Sequence, residues 1–270
     1  MKKLILITIL LVGFVALMAW LTDTDAATNA FSADFERTNS EYMRVADNAS
    51  LSILADITIM ARGNAESFAA ANVSMIAAKQ IGAGASRSYG FMINDASLCS
   101  PTDSQCLAFW FTPDGGGASE ERLDSPQRFT EGLWYHVAVT WTAATSVARF
   151  YVNGAFIGSQ TGVGTAIFDG TQDFRIAANR TDNFNGAWDG KQDDVRVYPR
   201  VLSQEEIQFA YRNGECTGDE PNIVGCWKLN DLSFASSTDE SPSLNTLSNI
   251  NTVPASDDVG LGARFIRVIR

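Results

Sequence analysis

The sequence is poor in the groups that hold transition metals and phosphates. It has a single histidine, His136, and its four cysteines include no Cys-x2-Cys pair. A tetrahedral zinc site has too little to build from. Basic residues are also few: 20 against 31 acidic ones, for a formal net charge of -11. That deficit excludes a nucleic-acid partner, because phosphate binding needs a basic patch. The surplus of acid is compatible with bound calcium, although acidity by itself is most often a solubility feature. His136 has no sequence-near carboxylate or nucleophile from which a triad could be assembled. A disordered composition is missing as well, since 46% of the 270 residues are hydrophobic.

What is present begins at the N-terminus. Lys2 and Lys3 precede an apolar run from Leu4 to Leu21, modified only by Thr8 and Gly13, with Asp23 and Asp25 after it. As a helix this run is about 27 Å long, enough for a thin bilayer. The flanking charges orient its start to the cytoplasm and the body outside. Residues 1–30 are thus expected to be a signal anchor or a signal peptide with a short linker. Small-x-small cleavage motifs are loose at Ala26, Ala27 and Ala30, so cleavage stays open.

The cysteines form two local pairs. Cys99 and Cys106 bracket "SPTDSQ", and Cys216 and Cys226 bracket "TGDEPNIVG". Four cysteines allow three pairings, and the short polar spacers favour 99–106 and 216–226. Each bridge would contribute about 2–3 kcal/mol and fits an exported body.

The body reads as short strands. "LWYHVAVTW" alternates Trp134, His136, Ala138 and Thr140 with Tyr135, Val137, Val139 and Trp141. "VARFYVNGAFIGSQ" is a hairpin closed by Asn153-Gly154, which supply the positive φ of a tight turn. Tyr89, Phe91 and Ile93 share a face, as do Leu107, Phe109 and Phe111 against Ala108 and Trp110. "LSQEEIQFAYRNG" is a short helix with Ser203 as N-cap and Glu206 at N3, a capping box. Cap chemistry accounts for Glu205 and Glu206 without any substrate.

These segments resemble the laminin-G-like, concanavalin-A-like lectin-glucanase jelly-roll family. The family's opening, F-D-G-x-N-D-Y-V-x-V-P-D-N-x-S-L-x-I-x-x-x-F-T-I, is matched by Phe35, Asn39, Tyr42, Val45, Asp47, Asn48, Ser50, Leu51, Ile53, Ile57 and Ile59. "WYHVAVTW" is similar to its W-x-H-V-A-V-T strand, and "RVLSQEEI" to R-A-L-S-x-E-E-I. "AWDGKQDDVRVY" resembles F-x-G-x-I-D-D-V-R-I-Y, with Gln192 in place of an apolar residue. The resemblance implies an all-β sandwich of two antiparallel sheets, expected over residues 31–214, behind the N-terminal transmembrane or signal helix. It also implies a structural role for His136.

The tail, residues 215–270, is similar to the family's first strand and loop. Ile223, Val224, Trp227, Leu229 and Asp231 fit the strand; Asp239, Ser241 and Asn245 fit the loop. "ARFIR" matches the strand that opens the domain. The tail either completes the first sandwich in a permuted order or begins a second domain that a partner's strand completes.

By resemblance, the concave sheet is a glycan platform, on which Tyr89 and Trp110 either stack on sugars or serve as core aromatics. The resemblance places a calcium ion near the closing strand, with Asp193 and Asp239 as candidate ligands. The expected function is an extracytoplasmic binding or adhesion module for glycans or cell-surface proteins, membrane-anchored or secreted. Two alternatives stand beside it: a structural surface or appendage subunit, and a glycoside hydrolase or lyase. The glycanase array E-x-D-x-x-E is absent, which argues against an enzyme.

Overall fold

The structure is a computed structural model. It describes residues 31–68, 73–80, 87–94, 99, 105–126, 129–178, 186–230, 236–251 and 253–257. The first half of the body gives β1 (Phe31–Phe35), β2 (Tyr42–Val45), β3 (Ile57–Ala65), β4 (Val73–Lys79), β5 (Tyr89–Asn94), β6 (Cys106–Phe111) and β7 (Glu121–Asp124). The second half gives β8 (Trp134–Thr142), β9 (Val147–Val152), β10 (Ala155–Thr161), β11 (Phe174–Ile176), β12 (Gly190–Tyr198) and helix α1 (Gln204–Arg212). The tail adds β13 (Gly225–Trp227), β14 (Ser236–Ser237), β15 (Leu247–Ile250) and β16 (Ala255–Asp257).

Two antiparallel sheets face each other. The first runs β10-β9-β8-β3-β12-β1-β16, with β13 also on β12; the second runs β14-β15-β2-β11-β4-β5-β6-β7. Alternation explains the packing, because every second side chain of a strand points to one face. Ile59, Val139, Trp141 and Phe150 of the first sheet bury against Phe91, Phe109, Phe111 and Ile176 of the second. Phe111 and Trp141 meet across the layer with ring centroids 4.6 Å apart. Gln192, at a family position that is usually apolar, reaches between the sheets and donates from Nε2 to Met75 O at 3.2 Å. The hairpin β9–β10 turns on Asn153 and Gly154, with φ of 50° and 75°. Such paired left-handed residues match the twist of the flanking strands.

The tail's strands pair with both sheets. β13 lies on β12, β15 on β2 and β16 on β1. Trp227 is fully buried, stacks on Phe174 at 5.2 Å, and donates from Nε1 to Asn245 O at 2.8 Å. Asn245 in turn donates to Ser50 Oγ at 2.9 Å, tying the tail to the start of the body.

The expected N-terminal transmembrane or signal helix is corrected here. Residues 1–30 lie outside the described residues, as does "ARFIR". Among the described residues no helix is long and apolar enough to cross a membrane. Helix α1 has nine residues, about 13.5 Å, against roughly 30 Å of bilayer hydrocarbon. Among the described residues nothing supports the membrane anchoring, or the membrane partner, expected from that run.

Candidate functional site

Three surfaces carry the polar chemistry of the body. The first is the face of the second sheet turned away from the core. Strand register sets Arg44, Arg175, Ala78, Gly90, Trp110 and Arg122 side by side across β2, β11, β4, β5, β6 and β7. The centre of this row is small, and its ends are cationic. Trp110 is half-buried and packs on Val73, Met75, Ala78, Met92 and Ala108. A side chain on Gly90 would come within 3.3 Å of the Gln80 amide, so that amide lies over the row beside Trp110. Trp110 Nε1 and Gln80 Oε1 are both shielded and have no hydrogen-bond partner among the described residues. Buried polar atoms normally have a partner. A half-buried indole among small neighbours is suited to a ligand with an apolar face.

At the far end of this face, Asp124 lies 3.2 Å from Arg122 and accepts from Asn94 Nδ2 at 3.2 Å. Burial raises its pKa, with Arg122 and Asn94 opposing. Asp173 pairs with both Arg44 and Arg175, at 2.8 and 3.8 Å.

Tyr89, the other aromatic read as a sugar platform, points the opposite way. It is fully buried in the core and donates to Leu51 O at 2.8 Å. The structure therefore does not bring Tyr89 and Trp110 together. They occupy opposite faces of neighbouring strands.

The second surface lies over the first sheet, beneath α1. Leu202, Ile207 and Ala210 pack on Met60, Ala138, Tyr151 and Tyr198. Asp194, at the bulge of β12 and with φ of 50°, is its hub. It accepts from Arg196 Nε and Nη2 at 2.9 and 2.6 Å, from Arg62 Nε at 3.4 Å, and from Cys216 N at 2.9 Å. Arg62 also donates to Ala210 O and Tyr211 O, the carbonyl end of the helix. His136 sits here, buried beside Tyr211, and neither ring nitrogen has a hydrogen-bond partner among the described residues. Its hydrogen bonds run through the main chain instead, to Asn153. Burial, then Arg62 and Arg196, hold its pKa well below the usual histidine value, so it is neutral.

The third feature is the tail loop around Asp239. This buried carboxylate accepts from Cys226 N, Ser241 N, Ser241 Oγ and Asn245 N at 2.8, 2.9, 2.8 and 2.7 Å. Four hydrogen bonds engage the oxygens that a calcium ion would need. Asp193 is fully buried and opposite Arg62 in register. Among the described residues no three histidine, cysteine, aspartate or glutamate side chains gather as a metal would require. Glu120 pairs with Arg87 at 2.5 Å, while Glu121 accepts from Val163 N and Gly164 N. Disulfides join Cys99 to Cys106 and Cys216 to Cys226.

Alternation in the sequence sets Asp194 on one face with Arg196, and the structure pairs them there. The Asp-Asp-x-Arg spacing was the available signal for the Asp194–Arg196 pair.

Two stacked antiparallel sheets, a capped helix behind one of them and a lone indole on the other define a lectin-like jelly-roll protein. The chain belongs to the laminin-G-type family described as the concanavalin A-like lectin/glucanases superfamily, which matches residues 37–208. Among solved structures, it is similar to a candidate carbohydrate binding protein from Bacteroides ovatus, at 16% identity and a TM-score of 0.62, over 84% of this chain and 60% of that one. It is also similar to the heptameric SAP-like pentraxin of Limulus polyphemus, at 13% identity and a TM-score of 0.52, over 87% of this chain and 96% of that one. At these identities the likeness is one of fold. The chain spans 60% of the length of the Bacteroides protein. No curated protein matches the chain.

Proposed function

We propose that the protein is an exported, non-catalytic binding or adhesion module that recognises glycans through the outer face of its second sheet. The observation that carries this reading is the half-buried Trp110 indole on the outer face, set beside the small Gly90 and Ala78 in the strand register. A sugar ring stacks its C–H face on an indole. Family membership supports the same reading, and the Bacteroides neighbour is itself described as a carbohydrate binder. Two disulfides favour an oxidising, extracytoplasmic setting. The pairing of tail strands with both sheets supports treating residues 31–257 as one binding unit.

A glycan array on the full chain tests the proposal. Trp110→Ala should weaken the strongest glycan at least tenfold, about 1.4 kcal/mol, with an unchanged circular dichroism spectrum. Retained binding in Trp110→Ala, or an array blank for the wild type, would overturn it.

A further inference from the structure

β1 lies between β12 and β16 at one end of the first sheet, held by three register pairs on each side. With the two residues after it, β1 reads FSADFER; residues 261–267 read LGARFIR. Both carry Ala-x-Phe-x-Arg in the same spacing, preceded by an apolar and then a small residue. The shared residues are those through which β1 is bound. Ala33 and Phe35 share one strand face and are fully buried in the core. Arg37 donates from Nε to Ala187 O at 2.9 Å, from Nη2 to Ser67 O at 2.9 Å and from Nη1 to Ser67 Oγ at 3.2 Å. The charged residues that differ, Asp34 and Glu36, are only part-buried, and Arg264 and Ile266 stand in their places. Register then fixes the path into the slot. Phe31, Ser32 and Ala33 face Asp257, Ser256 and Ala255. With Leu261, Gly262 and Ala263 in their places, only Asp258, Val259 and Gly260 join the two strands. That is a three-residue hairpin loop with glycine last, where such loops take a left-handed residue. Closing so short a loop costs little chain entropy.

We infer that the β1 slot is a strand-exchange site, and that its second occupant is residues 261–267 of the same chain. Entering as the hairpin partner of β16, that segment puts Phe265 in the place of Phe35 and Arg267 against Ala187 O and Ser67, and it releases β1. The core stays filled in both forms, because alanine and phenylalanine occupy the same two inward positions. An empty slot would instead expose the unpaired edges of β12 and β16. β1 lies one strand from the end of its sheet, so it can open locally while the rest stays folded. The exchange makes the segment before Tyr42 detachable without unfolding the body. The slot is on the first sheet, away from Trp110, and stands independently of the glycan reading.

Cysteine cross-linking in the full chain, with its native disulfides kept, traps the second occupant. Asp34 faces Lys191 in the register, so Arg264 takes that position after exchange. Lys191→Cys combined with Arg264→Cys should form an intrachain 191–264 disulfide under mild oxidation, read by peptide mass mapping of the monomer. Lys191→Cys combined with Asp34→Cys reports the resident strand. Phe265→Ser, which leaves β1 itself intact, should slow the 191–264 link at least fivefold without slowing the 34–191 link. Phe35→Leu, which weakens β1 alone, should speed the 191–264 link at least twofold. Three outcomes overturn the assignment: no 191–264 link where the 34–191 link forms, a rate that Phe265→Ser leaves unchanged, or a 191–264 link found only between two chains.

Discussion

At Asp194 one carboxylate answers two guanidiniums and a backbone amide, all out of water. Removing the carboxylate strips both guanidiniums of a close counter-charge in a low-dielectric setting. Asp194→Ala should therefore destabilise the protein by about 3–5 kcal/mol, measured by urea unfolding. A loss below 1 kcal/mol (within about what an exposed ion pair contributes) would show that the arginines find water instead. His136 makes the second case at this scale. Its folded-state pKa is depressed, so below about pH 6.5 the unfolded chain takes up a proton that the folded one refuses. Stability then falls as pH drops through that range. Between pH 7.5 and 5.5 the wild type should lose about 1.4 kcal/mol that a His136→Phe variant keeps. Parallel pH profiles for the two proteins would refute the buried neutral imidazole.

Among elements, α1 and the tail strands show how local and distant information differ. Ser203 accepts from Glu206 N, and Glu206 accepts from Ser203 N, so the helix start is fixed by four adjacent residues. Arg200, hydrogen-bonded to Glu206, holds that carboxyl below the usual range. The tail has no such local code. β13, β15 and β16 are placed by partners in β12, β2 and β1, and Trp227 fills the core between the sheets. A chain ending at Glu220 should thus lose its cooperative unfolding transition. Trp227→Ala in the full chain should destabilise by about 3–5 kcal/mol. A truncated chain that still melts sharply at the wild-type temperature would separate the tail from the sandwich.

For the whole molecule, the two sheets leave two outward faces with different chemistry. Helix α1 and the Cys216–Cys226 bridge pack on the first sheet, and a cavity lined by both arginines and glutamates opens between α1 and the end of β12. The second sheet's outer face carries a small-residue row with Trp110, ended by arginines. Glu215, under the first face, has its pKa raised by burial and then by Asp194. Much of the acid at this face is thus held in a buried polar layer, while Glu205 stays exposed at the rim.

Alternation by itself determined that the body is built of short strands. "WYHVAVTW" could only be a strand with two distinct faces, Asn153-Gly154 could only be a tight turn, and Ser203 with Glu206 could only open a helix. These are short-range facts, set by side-chain period, φ preference and cap hydrogen bonds. Which face turns inward is a long-range fact. Tyr89 and Trp110 sit on adjacent strands with apolar residues on both sides, and only the packing of one sheet on the other sent Tyr89 into the core and left Trp110 at the surface. A register shift in β12 likewise set Asp194 at a positive φ, where it accepts from Arg62, Arg196 and Cys216. Pattern fixes what can be buried, whereas the tertiary structure decides what is, because burial needs a second surface that a single strand cannot specify.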